Sequence, residues 1–228
     1  MQRLFDIVLS AIGLLILVPI LIPVMVCLRF TGEGEVFYRQ ERIGYKKRKF
    51  KVFKFATMLK NSPNIGAGTL TMANDARVLP LGNILRKTKI NELPQLLNIL
   101  FGDMGIVGPR PLVFEGEQHY GEKNSDVIRS VRPGITGIGS LVLRDEEAYY
   151  AHRDDAPDVY KNIIIPYKFT LEAWYIERRT FALDFKIIIL TAVAIFHSGF
   201  SPWSFFPDLP PIPEKMVESK GDQSANNF

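Results

Sequence analysis

From Ile7 to Leu28 the chain runs for 22 residues without a charge. Nothing else in it limits the fold as strongly, because such a run must be buried in protein or in lipid. As a straight helix at about 1.5 Å per residue it is long enough to cross a hydrocarbon core of roughly 30 Å. Pro19 and Pro23 fall inside it, and each removes a backbone donor and disfavours a straight helix. A kinked helix that enters and leaves by the same leaflet therefore stands beside a full span. A buried core helix is the least favoured reading, since an all-round apolar helix rarely runs straight into a basic cluster in a soluble fold of this size. A cleaved signal peptide is not expected, because the apolar run is long and no small-x-small site follows it.

The charge distribution points the same way. Of the 228 residues, 28 are Lys or Arg and 24 are Asp or Glu, a net +4. Residues 1–60 hold 11 of the basic and 4 of the acidic ones, so the remainder is slightly acidic. Basicity gathered beside the apolar segment suggests a membrane surface and excludes a uniformly basic nucleic-acid binder. Ten Lys and Arg lie from Arg29 to Lys60, which places the rest of the chain on the cytoplasmic side. A mean hydropathy of +0.07 excludes a polytopic membrane protein. The single cysteine, Cys27, excludes an intramolecular disulfide framework, and His119, His152 and His197 have no metal-ligand spacing.

Beyond the apolar segment, residues 35–60 alternate aromatic and basic positions. Phe50, Val52, Lys54 and Phe55 read as a strand, with a hairpin turn at Gly44-Tyr45. Residues 61–68 form a polar loop. Helical patterns start near Val78 and again at Asn91, where Leu93, Leu96, Leu97 and Leu100 share a face up to a stop at Gly102. RPGITGIG (132–139) reads as loop, and residues 145–170 as mostly helical. The run IIILTAVAIF (187–196) is too short to span a bilayer, so it lies in the interface or packs on the domain. Five of the 15 prolines follow Ser201, which predicts a poorly ordered tail. The expected fold is a small, helix-dominated α/β-type domain in three parts. These are a re-entrant membrane helix (1–30), a cytoplasmic catalytic domain with interfacial amphipathic helices (31–200) and a Pro-rich flexible tail (201–228).

The densest block for chemistry is RKTKINELPQLLNILFGDMGIVGPRP (86–111). Asn91 sits where a helix N-cap is wanted, with Glu92 in the first turn and Pro94 just inside, which is good capping chemistry without any function. The same geometry aims backbone N–H groups and a positive dipole end at whatever lies in front, and that suits a phosphate. Arg86, Lys87 and Arg110 would add charge-assisted contacts. In Gly108-Pro109-Arg110-Pro111 two prolines frame an arginine, lowering the entropy lost when it grips an anion. Asp103 reads equally as a magnesium ligand or as a loop cap. The stretch from Arg144 to Glu147 resembles a metal site but more often begins a solvated helix.

Taken together, YRQERIG (38–44), KFKVFKF (49–55), RKTKINELPQLLNIL (86–100), GDMGIVGPRPL (102–112) and RPGITG (132–137) resemble the bacterial sugar transferases known as monotopic phosphoglycosyltransferases. The likeness covers about residues 1–198. It implies transfer of sugar-1-phosphate from a nucleotide sugar to a polyprenyl phosphate, such as undecaprenyl phosphate. This would be the first step of a surface glycan such as an exopolysaccharide or O-antigen. The implied setting is the cytoplasmic face of the bacterial inner membrane, with Mg²⁺ as cofactor and no nucleic-acid partner; a homodimer stays open. The resemblance also implies catalytic roles for Asn91, Glu92, Glu172 and Lys54, phosphate binding by Arg86, Arg110 and Arg144, and metal binding by Glu92 and Asp103.

The chain departs from the family's pattern at the point that matters most for chemistry. Asn91-Glu92 stands where the family usually has Asp-Glu, whose aspartate is thought to form a covalent phosphosugar intermediate. An amide is a poor nucleophile. Glu172, in Phe169-Thr170-Leu171-Glu172-Ala173-Trp174-Tyr175, stands for a second family aspartate, and Ala56 for an expected arginine. Three readings follow. Glu92 takes over as nucleophile or metal ligand with support from Glu172; or the polyprenyl phosphate attacks the sugar nucleotide directly; or the chain is a non-catalytic, membrane-attached scaffold for glycan assembly. The surviving charged set favours an enzyme.

Overall fold

A computed structural model describes residues 2–65, 71–72, 75–111, 119–150, 153, 155–197 and 200–216. Parts of three expectations, the loop at 66–68, Leu112 and the tail beyond 216, lie outside the described residues, as does His152.

Helix α1 (Gln2–Phe30) continues without interruption through Pro19 and Pro23, which lie four residues apart on an exposed side. Its opposite face lies along the domain for the whole length of the helix. At the N-terminal end Arg3 donates to Leu100 O at 3.1 Å, and the Phe5 ring meets Phe181 edge-on at 5.1 Å. Midway, Gly13 faces Leu96. At the far end Leu21 and Leu28 are buried with Phe55 and Leu85. The outward face is apolar and exposed, with Leu4, Val8, Ile12, Leu15, Ile16 and Val26 among its residues.

Strands β1 (Phe37–Ile43) and β2 (Lys49–Phe55) form the antiparallel hairpin, registered so that Tyr38 faces Lys54 and Ile43 faces Lys49. Lys46 and Lys47 both adopt left-handed conformations at the turn. After α2 (Pro80–Lys87), a single 3-10 turn at Ile90–Glu92 precedes α3 (Gln95–Phe101). Asn98 explains where α3 sits. It is fully buried, accepts from Phe53 N at 2.9 Å and donates to Lys51 O at 2.8 Å. One amide side chain thus takes the place of a neighbouring strand along β2. The expected capping role of Asn91 is not observed. Asn91 lies inside the 3-10 turn, and Pro94, not Asn91, precedes α3. The leucine periodicity reads as one helix, but the Asn91-to-Pro94 segment closes the tighter turn first.

Strand β3 (Gly105–Val107) pairs in parallel with β4 (Gly134–Thr136), so the segment expected as loop contributes a strand and then α5 (Ile138–Val142). Three-residue strands are too short for periodicity to reveal. Helix α4 (Glu122–Ile128) lies between β3 and β4 in the chain. Further on, α6 (Ala156–Val159), a π-helical turn (Tyr160–Ile164) and α7 (Ile165–Arg178) run on through helical backbone. Pro166 lacks the amide that a regular helix would use here, which accounts for the local shift to π spacing. Helix α8 (Phe181–Phe196) leaves Phe181, Phe185, Ile189 and Val193 exposed on one side. The core gathers Ile99, Met104, Ile138, Ile164, Leu171 and Ile187, all fully buried.

The tail expectation is corrected for residues 201–216. Phe206, Leu209 and Met216 are buried in the main core. Carbonyls of the Pro-rich segment accept from Tyr167 Oη at 2.9 Å (Pro210) and Trp174 Nε1 at 3.1 Å (Asp208). Prolines stiffen a series of turns, beginning with a 3-10 turn at Pro202–Ser204, whose carbonyls accept from the domain, so composition that resembles disorder instead serves packing.

Candidate active site

Three distant stretches meet at Glu92. Because Asn98 pins α3 to β2, the turn immediately ahead of α3 is carried to the end of that strand. There Lys54 Nζ lies 3.1 Å from Glu92 Oε1. Arg110 adds a two-pronged contact, Nη2 at 2.6 Å from Oε1 and Nη1 at 3.2 Å from Oε2. The loop that presents Arg110 is rigid. Gly108 N donates to Thr136 O at 2.9 Å, Gly134 N donates to Pro109 O at 3.0 Å, and Arg42 Nη1 donates to Pro111 O at 2.9 Å.

Glu172, on α7, completes the group from below. Its Oε1 accepts the Arg110 backbone N–H at 3.4 Å, while its Oε2 is buried and meets no donor among the described residues. Gly139 lies so close that a Cβ there would overlap the Glu172 carboxylate. Lys168 and Glu146 form an adjoining ion pair.

These contacts set the charge states. Burial alone would raise the Glu92 carboxyl, but Arg110 and Lys54 outweigh it and hold it well below the ordinary carboxylate range. Burial pushes the Lys54 ammonium down to about 8, against the pull of Glu92. The Glu172 carboxyl is pushed up to about 8 by burial, with the Arg110 amide and the Lys168 and Arg110 charges opposing. At neutral pH the site therefore contains one saturated carboxylate and one protonated acid.

A stability prediction follows from Glu172. Its folded-state preference for the proton stabilises the fold fully below the ordinary carboxyl range and is lost as pH rises through about 8. Glu172→Gln keeps the shape without the charge. In thermal unfolding it is expected to match the wild type near pH 4 and to exceed it at about pH 9. Equal midpoints at both values would show that ionising Glu172 has no folding cost.

Lys54, Asn91, Glu92, Arg110, Glu172, Arg86 and Arg144 all line one cleft of about 1390 Å³. Lys54, Glu92, Arg110 and Glu172 form the central cluster, and Asn91, next to Glu92 in the chain, lines the cleft. Arg86 is engaged with Thr71 (2.9 Å) and Glu147 (3.2 Å), and Arg144 with Asp145 (3.6 Å). Asp103 is not brought to Glu92. It sits past the other end of α3, 3.4 Å from Asn98 Nδ2, and does not line the cleft. No group of three His, Cys, Asp or Glu suited to a metal occurs among the described residues.

Sequence reasoning missed Arg42 and Lys168. Burial pushes the Arg42 guanidinium down to about 10, with Arg110 adding to the shift. The signal was available, since Tyr38, Gln40 and Arg42 fall on the inward side of β1 by its two-residue period. Lys168 gave none, because its partner Glu146 lies on a separate short turn.

Comparison with known proteins adds the following. The profile of a family described as bacterial sugar transferase matches residues 1–198. Exopolysaccharide production protein ExoY of Rhizobium meliloti (strain 1021) is 35% identical over 162 residues, covering 65% of this chain and 71% of that protein. The UDP-glucose:undecaprenyl-phosphate glucose-1-phosphate transferase of Escherichia coli (strain K12) is 35% identical over 193 residues, 84% of this chain and 39% of that protein. The enzyme of the same name from Xanthomonas campestris pv. campestris is 32% identical over 196 residues, 85% of this chain and 38% of its own length. The chain thus spans about four-tenths of the length of these two transferases.

Proposed function

The chain belongs to the bacterial sugar transferases, a family of phosphoglycosyltransferases, and from that premise we propose that it passes sugar-1-phosphate from a nucleotide sugar to a polyprenyl phosphate. The observation that carries the reading is the Lys54–Glu92–Arg110 cluster, with Arg42 behind it, in a cleft lined in part by Ile188, Thr191 and Ile195 of α8. Its net positive charge suits a diphosphate, and the two-pronged grip of Arg110 suits the charge that develops on the transferred phosphoryl group. A scaffold would gain nothing from such a cluster, and the relatives lend that alternative no support.

Direct transfer is the route that the site supports best. An acceptor phosphate oxygen attacks the sugar-proximal phosphorus, the bond from that phosphorus to the bridging oxygen breaks, and nucleoside monophosphate leaves with that oxygen. Covalent catalysis would need a free carboxylate. Asn91 is an amide, Glu92 is saturated by donors from two cations, and burial keeps Glu172 protonated. Phosphoryl transfer depends mainly on positioning and charge neutralisation, which Arg110 and Lys54 supply.

A Mg²⁺ held by Glu92 and Asp103 does not fit, because Asp103 lies elsewhere. Asn91 Oδ1 does fit, since it is buried in the cleft lining without a donor among the described residues. A hard cation taking Asn91 Oδ1, substrate phosphate oxygens and water, with Glu92 already engaged by Lys54 and Arg110, is consistent with magnesium's habits. When bound, the ion would neutralise charge on the diphosphate.

The placement of α1 supports a re-entrant or in-plane anchor at the cytoplasmic face of the inner membrane. A helix of 29 residues is about 43 Å long. Both of its ends rest on the same domain, whereas a spanning helix would carry one end across the bilayer. Its exposed apolar face, and that of α8 beside it, would meet lipid.

The test uses purified membranes with radiolabelled sugar nucleotide and polyprenyl phosphate. A lipid-extractable labelled product with equimolar nucleoside monophosphate is expected, and no such product in membranes that hold the protein would overturn the assignment. Labelled nucleoside monophosphate is expected not to exchange into the donor without lipid; exchange would replace direct transfer by a covalent route.

A further inference from the structure

Strand β3 has only one strand neighbour among the described residues. Gly105 and Val107 register with Gly134 and Thr136 of β4, so the intervening Ile106 amide faces the open edge. A buried strand amide left without a partner is costly. Here the partner comes from the membrane-type helix, as Asp6 Oδ1 accepts from Ile106 N at 3.2 Å, across 100 residues of chain. Asp6 is itself buried. The neighbouring strand residue is glycine, and a Cβ at Gly105 would come 3.2 Å from Asp6 Oδ2. Arg3, one turn earlier, donates to Met104 O at 3.4 Å just before the strand.

On its other side β3 runs directly into Gly108-Pro109-Arg110. Three residues separate the amide held by Asp6 from the arginine that grips Glu92. The intervening backbone has little freedom, because Gly108 N and Pro109 O are both bonded into the β4 segment and Pro109 fixes its own φ.

We propose that Asp6 is a positioning residue for the reaction: its carboxylate fixes the edge of β3 and so sets where Arg110 stands over the transferred phosphoryl group, linking the seating of α1 to the assembly of the site. The inference rests on the function proposed above, and wild-type activity in the same assay separates failure of the one from failure of the other. A carboxylate inside a membrane-type helix is costly unless it has a task, and this one completes a strand whose far end is catalytic.

The experiment compares Asp6→Ala and Asp6→Asn with wild type in detergent-solubilised full-length chain, measuring kcat and the donor KM per mole of protein. Displacing a charge-stabilising group by a fraction of an ångström is expected to lower kcat by about 10- to 100-fold in Asp6→Ala, with KM little changed. Asp6→Asn keeps an oxygen able to accept from Ile106 and is expected to recover most of that loss. Wild-type kcat in Asp6→Ala would overturn the proposal, as would equal losses in the two variants, which would assign the effect to charge alone. Should Asp6→Ala fail to accumulate, Gly105→Ala tests the same contact from the strand side in a chain that keeps Asp6. A fall in kcat without a rise in KM supports the proposal, and an unchanged kcat overturns it.

Discussion

Glu92→Ala is expected to remove turnover, lowering release of nucleoside monophosphate from sugar nucleotide and polyprenyl phosphate by at least about 10³-fold. The size of the effect comes from what the carboxylate organises. Glu92 accepts from Arg110 at 2.6 and 3.2 Å and from Lys54 at 3.1 Å, and it is the charge that lets these two cations and Arg42 share one small region. Without it, Arg110 swings toward solvent and Lys54, already lowered to about 8, gives up its proton more readily. Both changes strip positive charge from the phosphate seat. The fold should survive. Removing one partner of a fully buried pair costs about 3–5 kcal/mol, but Arg110 keeps access to the cleft, which reduces the loss to about 1–3 kcal/mol. Turnover assayed beside thermal unfolding separates the two effects. Unchanged turnover would remove Glu92 from the mechanism.

Asn91→Asp is expected to give the opposite kind of result, a gain. The wild type is expected to exchange no labelled nucleoside monophosphate into the donor without lipid. The variant would carry a carboxylate in the cleft lining, beside a cluster rich in positive charge, where Asn91 Oδ1 now has no donor. A carboxylate there can attack the sugar-proximal phosphorus and release nucleoside monophosphate, forming a phosphosugar on the enzyme. Exchange is therefore expected to rise from background to a readily measured rate, on the order of 10²-fold. Absence of exchange in a variant that still makes lipid product would show that position 91 does not face the reacting phosphorus.

The parts of this molecule that could be read from its sequence are those in which neighbours along the chain are neighbours in space. The hairpin around Gly44 and the leucine face of α3 follow from periods of two and 3.6 residues. Most members of the site cluster were also legible, because they stand in dense motifs whose order matches a known family. Their mutual geometry was not. Asn98 reads as an unremarkable polar residue on an apolar helix until β2 is placed beside it, and the Asp6–Ile106 contact joins residues 100 apart. Asp103 misled for the same reason: it is close to Glu92 in sequence, yet α3 separates them by its own length. The prolines after Ser201 misled through composition, since only the partners Tyr167 and Trp174 reveal that the segment packs.

The side chains that flank β2 and β3 have a consequence for how the chain behaves before it reaches a membrane. A strand with bare amides on one margin is a template on which another polypeptide can add, and short sheets next to apolar helices would be especially prone to such growth. In this molecule Asn98 occupies that margin on β2 and Asp6 occupies it on β3. Both are polar, neither can propagate pairing to a further strand, and each is delivered by a helix that covers the strand as it docks. Docking of the helices therefore also withdraws the sheets from association with other newly made chains, in a protein whose α1 and α8 leave much apolar surface exposed.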